Sequence, residues 1–471
     1  MRRLLIYFHY DALGQIDAPC RLAAEALLPF GRLLFVTNAK LRPADRAWAE
    51  KAGCELLERA NTGFDVGAYR DALFHCGREE VCRYEEVVLM NYTLAGPVGP
   101  GEPLRQMFET MEARPELDFW GLTRHYAMRS RRFGGQVPEH LQSHFLAVRG
   151  RMLRDDAFWV YWQQMRMPRS YEESVICHET RFTAYFAQRG FQWDSYVQTE
   201  DLRAVFLNPI MACPRELIAK RGCPFFKRRS FFTPYADELR RTDGAAAREL
   251  YAYLRGETDY PVDALVASLL REHPVADLAR NLPWHYVLGK EKGPAELEKR
   301  GLRLLRFDPL DAEPVSAWYL RQSAEEADRC LAAAAALFAR EPALGLLCPA
   351  WPSWPPFAEN AAAQWRKLGA GMARELGVPA GETPPPAPAA GWALVREAAL
   401  GGCCPDLQAE GVCWRLPLLV QKNGFYSAVF DTAAQASARA EQLALYCQAA
   451  QTPRAVVRQL GRLAKRRLRR R

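Results

Sequence analysis

The first 100 residues alternate short strand-like runs with stretches of helical composition, and that alternation limits the fold more than any other feature of the chain. Apolar runs at 4–9, 32–37, 55–59 and 86–91 are separated by helical patterns at 18–28, 43–51 and 66–74. Strands that alternate with helices pair in parallel through crossover connections, so an α/β unit with a mostly parallel central sheet is expected. Ligands of such sheets sit beyond the carboxyl ends of the strands. Those ends are polar here: His9-Tyr10-Asp11, Thr37-Asn38, Asn61-Thr62-Gly63-Phe64-Asp65 and Asn91-Tyr92-Thr93. A nucleotide-type pocket built around Asn91-Tyr92-Thr93 is therefore expected. Further strands are read at 119–122 and 145–148, and a helix at 180–188 closed by Gly190.

A length of 471 residues allows two or three domains, and 49% hydrophobic with 25% charged residues is the composition of a globular chain. Thirteen scattered cysteines form no Cys-x-x-Cys pair, which points to reduced thiols and a cytoplasmic setting. The opening Met1-Arg2-Arg3 and its apolar run are broken by His9 and Asp11 before reaching secretory length, and no window approaches a membrane span. The net charge of +8 is local, because residues 452–471 carry nine Arg/Lys and no acid. Arg454, Arg458, Arg462, Arg466 and Arg470 recur every four residues there, with Val457, Leu460, Leu463 and Leu468 mostly on another side. Such a basic amphipathic tail fits an anionic membrane surface better than nucleic acid; the plain alternative is a solvated basic end.

No Gly-x-Gly-x-x-Gly follows the first strand and no phosphate loop of the Gly-x-x-x-x-Gly-Lys type occurs, which weighs against dinucleotide oxidoreductases and nucleoside triphosphatases. What occurs is Asn61-x-Gly63-x-Asp65-x-Gly67 ahead of a helix. The glycines allow close approach of a ligand, and Asp65 can accept from ribose hydroxyls or a base edge. Asn61 and Asp65 can equally be helix caps. His178, and His140 with His144, suggest no third metal ligand by spacing. The segment GETPPPAPAAG at 381–391 reads as a stiff, exposed connection.

The stretches LLIYFHYD, NTGFDVGAYRDAL, VVLMNYTLAGP, HLQSHFLAVRGRML, HETRFTAYFAQRGF and NPIMACPRELIAKRGCPFFKRRSFF, in this order across residues 1–240, resemble the rhamnan synthesis protein F family of bacterial polysaccharide glycosyltransferases. Fainter likeness continues through LVASLLREHPVADLARNLPWHYVL, APAAGWALVREAAL and LPLLVQKNGFYSAVF. The resemblance implies a GT-A-like nucleotide-sugar-binding domain over 1–240, a helical connection over 241–300, a second α/β-like domain over 301–451 and the tail at 452–471. It places the nucleotide near Asp11, Asn61, Gly63 and Asp65, and the diphosphate and sugar near Asn91 and Thr93. Many enzymes of that fold hold a divalent metal there with Asp-x-Asp. Asn91-Tyr92-Thr93 has no carboxylate, so a metal held by side chains alone is not expected. The Lys227-Arg228-Arg229 cluster offers Lys227 and Arg228 as phosphate clamps instead, if it is not simply a solvated loop.

Glu179 lies about where such enzymes place their catalytic carboxylate, with Asp65 and Asp201 as substitutes; Ser143 and Phe145 would border the acceptor or the sugar. The implied reaction moves rhamnose or a related deoxyhexose, with inversion, from a nucleotide-sugar donor, foremost dTDP-rhamnose, to a lipid-linked oligosaccharide of the cell envelope. The protein would then be peripheral at the inner face of the membrane. The rival expectation is a non-catalytic scaffold that binds sugar nucleotide or glycan in an assembly complex.

Overall fold

The computed structural model describes residues 1–133, 135–233, 245–291 and 293–450, with 453, 454, 457, 460 and 461 beyond them. Most of the basic tail at 452–471 lies outside the described residues. Contacts divide the chain into two units, Met1–Ser268 and Leu269–Arg471.

The first unit is built on seven strands: β1 (Arg3–His9), β2 (Arg32–Thr37), β3 (Glu55–Glu58), β4 (Glu86–Asn91), β5 (Phe119–Gly121), β6 (Phe145–Arg149) and β7 (Trp193–Ser195). Their spatial order is β7-β5-β6-β4-β1-β2-β3. β1 pairs in parallel with β2 and β4, and β2 with β3, whereas β6 runs antiparallel to both β4 and β5. Helices α1 (Ala18–Leu27), α2 (Pro43–Ala52) and α3 (Phe64–Cys76) supply the crossovers between the first four strands. All seven residues of β1 are buried, as expected of a strand covered by helices on both faces.

The reversal of β6 decides what lies at the functional edge. Its first residue, Phe145, sits opposite Met90 near the end of β4, and Asn91 donates its backbone N–H to the carbonyl of His144 at 3.1 Å. Residues just before β6 thus join those just after β1, β2 and β4. The order turns at β1 and β4, where chain connections leave in opposite directions and open a crevice.

A short antiparallel ribbon pairs Leu94–Ala95 with Phe226–Lys227, setting Lys227 opposite Leu94, and the N–H of Arg228 donates to the carbonyl of Thr93 at 2.9 Å. Extended chain sends successive side chains to opposite sides. Lys227 accordingly faces the cleft, while Arg228 turns inward, 4% exposed, to meet Asp17 Oδ2 at 2.7 Å and Ser268 Oγ at 2.9 Å. Asp17 also caps α1 by accepting from the N–H of Cys20 at 2.8 Å. Burial pushes the Asp17 carboxyl upward, but the Arg228 charge and these hydrogen bonds outweigh it and hold the group well below the usual carboxylate range. Removing one partner of a buried pair costs about 3–5 kcal/mol. Arg228→Met is therefore expected to lower the thermal midpoint sharply in calorimetry, with or without a ligand.

Ser268 belongs to the helix Val262–Glu272, which explains why the first unit runs past residue 240. The second unit holds five strands, β8 (His285–Leu288), β9 (Leu302–Arg306), β10 (Leu344–Pro349), β11 (Trp392–Arg396) and β12 (Tyr426–Thr432), in the order β8-β12-β10-β11-β9. β12 is parallel to β8 and β10, and β11 is antiparallel to β10 and β9. The stretch 241–300 thus contributes its strand β8 to this second sheet. The proline-rich segment at 381–391 is not an exposed connection: Ala387 and Ala389 are buried with Trp365 and Trp414 in the core of this unit. Alanines between the prolines present little but methyl groups, which pack readily against indole rings.

Candidate functional site

A cleft of about 1560 Å³ opens at the carboxyl edge of the first sheet. Asn61, Gly63, Asp65, Asn91, Thr93, Ser143, Glu179 and Lys227 all line it. Three other expected residues do not. Asp11 is buried in its own turn, where Oδ1 accepts from the N–H groups of Leu13 and Gln15 at 2.8 and 3.0 Å. Arg228 is held by Asp17, as described, and Arg229 lines the cleft in its place. Phe145 is fully buried with its ring 5.3 Å from that of Trp120, because alternation along β6 points it to the other side of the sheet.

The polar floor of the cleft is one connected array. Asn91 donates Nδ2–H to Asp65 Oδ2 at 2.8 Å, and its Oδ1 accepts from the N–H of Thr93 at 3.1 Å and from the Thr93 hydroxyl. Lys227 Nζ lies 3.2 Å from Thr93 Oγ1. Ser143 donates its backbone N–H to Glu179 Oε2 at 3.0 Å, and its hydroxyl lies 2.8 Å from that oxygen and 3.2 Å from Asp65 Oδ2. A single hydroxyl hydrogen thus stands between two carboxylates. The carboxylates absent from Asn91-Tyr92-Thr93 are brought to it by α3 and by the turn at Glu179.

Local backbone conformation places both acids. Gly63 has φ of 73° and Phe64 follows at 53°, so the chain enters α3 through two left-handed residues, the second carrying a side chain. A non-glycine residue held there is strained, and such strain collects at functional turns. A Cβ on Gly63 would come within 2.6 Å of Met167 Sδ, so the glycine admits that side chain over the turn. Neither Asn61 nor Asp65 provides the side-chain cap of α3. Asn61 Oδ1 accepts from Asn38 Nδ2 at 3.1 Å, and Asp65 faces Asn91 and Ser143.

Glu179 is the last residue of a π-helical turn, Val175–Glu179, between the short helix Tyr171–Ser174 and α4 (Thr180–Ala187). It is not at a free helix start as the sequence suggested, so its position owes nothing to an exposed helix N-terminus. Such turns bulge a helix outward and are frequent at functional sites.

The two acids are driven apart electrostatically. Asp65 is pushed above the usual carboxylate value by burial and by the Glu179 charge. Burial pushes Glu179 the same way, but His140, Lys227 and the Ser143 hydrogen bond outweigh it and hold Glu179 well below the usual range. Such splitting is how a site assigns different tasks to two carboxyl groups. Because the folded value of Asp65 is raised, its ionised form costs stability at neutral pH, and that cost disappears as the pH falls through the raised value. Asp65→Asn, which mimics the protonated form, is expected to raise the thermal midpoint at pH 7. The gain should shrink in scans at lower pH.

A divalent metal does not fit at Asn91 and Thr93. Both polar ends of the Asn91 amide are committed within the array, and the Thr93 hydroxyl lies beside an ammonium that would repel a dication. Among the described residues no cluster of His, Cys, Asp and Glu is arranged to hold a metal ion.

The structure adds cleft residues that sequence reading passed over: Arg166, Met167, Arg169 and Tyr171, all preceding the Glu179 turn, and His125; His140, weighed in the sequence only as a metal ligand, lines the cleft as well. Arg166 and Arg169, on either side of Met167-Pro168, were the available signal for the first group. His125 and His140 face each other on a ribbon of Arg124–His125 with His140–Leu141, which no local pattern announces.

Comparison with known proteins finds the family that the sequence resembles. The family model described as rhamnan synthesis protein F matches residues 33–299, more than half of the chain. The uncharacterized protein y4gN of Sinorhizobium fredii is 25% identical over 208 residues, 44% of this chain and 51% of that protein, so the chain spans about half the length of this curated relative. Among solved structures, mouse xyloside xylosyltransferase 1 aligns with a TM-score of 0.26 and 11% identity, covering 44% of this chain and 92% of that one. Core-mannan synthase A of Aspergillus fumigatus, in a Mn/GDP form, aligns at 0.24 and 8%, covering 41% and 72%. Scores this low leave the assignment to the family match and to the strand order already described. On the span of that match, this chain belongs to the rhamnan synthesis protein F family.

Proposed function

We propose that the protein is a glycosyltransferase that takes a sugar from a nucleotide-sugar donor and passes it to a hydroxyl of a saccharide acceptor. The observation that carries this reading is the pairing, in one cleft at the carboxyl edge of a mostly parallel sheet, of an ionised carboxylate, Glu179, with the cation Lys227. Glycosyl transfer needs these two groups: a base for the acceptor proton and positive charge for the departing diphosphate.

In this reading the nucleotide lies along Asn61, Gly63 and Asp65. Lys227, steered by Thr93, meets the diphosphate, and Arg229 lies on the same wall. Glu179 takes the acceptor proton as the acceptor oxygen attacks the anomeric carbon and the bond to the diphosphate breaks. A diphosphate next to Lys227 offsets the charge that keeps Glu179 weakly basic, so donor binding itself raises the basicity of Glu179. Ser143 holds Glu179 from its backbone N–H and its hydroxyl together. Asp65 is tied to Asn91 and Ser143, which favours direct displacement with inversion over a covalent intermediate on that carboxylate.

The family description, rhamnan synthesis, supports rhamnose or a related deoxyhexose as the transferred sugar; dTDP-rhamnose as the foremost donor and a lipid-linked oligosaccharide as acceptor are part of the same proposal. No described helix is long and apolar enough to cross a membrane. Contact of the basic tail at 452–471 with an anionic membrane surface, at the cytoplasmic face, belongs to the same proposal.

The missing carboxylate at 91–93 favours one second reading, a scaffold that binds donor or glycan without turning it over. Purified protein given a panel of nucleotide sugars, with saccharide acceptors and in EDTA or Mn²⁺, separates the two. Release of nucleoside diphosphate from one donor supports the transferase, and tight binding with no release from any of them supports the scaffold.

A further inference from the structure

We infer that His140 is the positioning partner of Glu179, sharing a proton with it through Nε2 and holding it as an oriented carboxylate in the cleft. The inference deepens the transferase reading and rests on it for the reaction step, though not for the proton itself.

His140 is 2% exposed and its ring is fixed from both sides. Nδ1 lies 2.8 Å from the carbonyl oxygen of Pro138, which can only accept, so Nδ1 carries a hydrogen. The other nitrogen, Nε2, is buried and has no hydrogen-bond partner, and it lies 3.6 Å from Glu179 Oε1. A neutral ring with its hydrogen on Nδ1 would aim the Nε2 lone pair at a carboxylate oxygen. Contact between those two atoms is attractive only if a proton lies between them. A buried polar atom left unmatched carries a desolvation cost, and a small movement that shortens this contact removes it.

The surroundings agree. His125 stacks on His140 with ring centroids 5.2 Å apart and planes 9° from parallel. Its Nδ1 is also spent on a carbonyl, that of Tyr126 at 2.8 Å. Burial, and then the charge of His140, lower His125 to about 4, so the second ring stays neutral and no like charge opposes the first. The other groups facing Glu179 are Lys227, Asp65, the Ser143 hydroxyl and, further off, His144, which burial keeps neutral. His178, adjacent in sequence, turns away to Tyr161, whose hydroxyl lies 2.8 Å from Nδ1. His140 is therefore the one histidine among the described residues that addresses the Glu179 carboxylate directly. During transfer Glu179 gains the acceptor proton while the imidazolium keeps its own, so charge changes on one group only.

The test needs no turnover for its first arm. In full-length protein labelled with ¹⁵N-histidine, with His140→Gln used to assign the signal, the His140 ring should show both nitrogens protonated at pH 7. In Glu179→Gln the same ring should become neutral, with its hydrogen on Nδ1. A neutral His140 in the unaltered protein at pH 7, or a ring whose state ignores Glu179→Gln, would overturn the inference.

The second arm is kinetic. His140→Gln keeps a donor toward Glu179 but cannot share a proton, and it should lower kcat at least 10-fold with donor KM within twofold and move the acidic limb of the pH profile. Unchanged kcat together with an unchanged profile would likewise overturn it. If the unaltered protein transfers no sugar, the transferase reading fails, and the ring signals still decide the state of His140.

Discussion

Glu179→Gln should reduce sugar transfer by about 10²–10⁴-fold, the range that a positioned general base contributes, while donor affinity changes little. The substitution keeps the shape and one oxygen for Ser143 to address, so the fold should tolerate it. Steady-state rates and calorimetric donor binding, measured on the same preparation, check both halves. The expected loss falls on kcat, because Glu179 acts on the acceptor proton and makes no contact with the nucleotide in the proposed pose. Equal losses in rate and affinity would move Glu179 from chemistry to binding.

Lys227→Ala carries the second large effect and the opposite signature. A cation aimed at developing charge in a partly enclosed cleft is worth about 2.7–4 kcal/mol, or 10²–10³-fold. Lys227 meets the diphosphate in the ground state too, so donor affinity should fall along with kcat. Mn²⁺ or Mg²⁺ should not restore it, because the Asn91 amide and the Thr93 hydroxyl are already in use and the neighbouring Asp65 and Glu179 carboxylates are engaged by Asn91 and Ser143. Lys227→Arg should recover part of the binding, since the ribbon fixes the backbone and a guanidinium can still reach phosphate oxygens. Arg228→Met makes the internal control: it should damage stability through Asp17 instead of donor recognition.

This contrast shows how far the sequence could be read. Period and composition placed β1, β2, β4 and β6 within a residue at each end, because buried strands between crossover helices leave continuous apolar runs. With the strands came the polar ends Asn61, Asp65, Asn91 and Thr93, while Ser143 and Glu179 came from the family resemblance and Lys227 from the cation cluster; all seven line the cleft. What failed was facing. Lys227, Arg228 and Arg229 look equivalent as a run of cations, and only pairing with Leu94–Ala95 decides that the middle one turns inward. Its partner Asp17 lies 211 residues away, beyond any local signal. Phe145 was misplaced for the same reason, one step of alternation along β6. Asp11 looked like a ligand because it follows a strand, but its carboxylate closes its own turn. His140 was weighed only as a metal ligand, since its relation to Glu179 depends on a two-residue ribbon and on the reversal of β6.

The central claim is that this cleft binds a nucleotide diphosphate through Lys227 without a divalent metal. Isothermal titration of the nucleoside diphosphate, or of its sugar conjugate, into the unaltered protein and Lys227→Ala in EDTA tests it most directly. Binding in EDTA that weakens at least 100-fold in Lys227→Ala is the predicted result. Binding that appears only with Mn²⁺ or Mg²⁺, or that Lys227→Ala leaves unchanged, would contradict it.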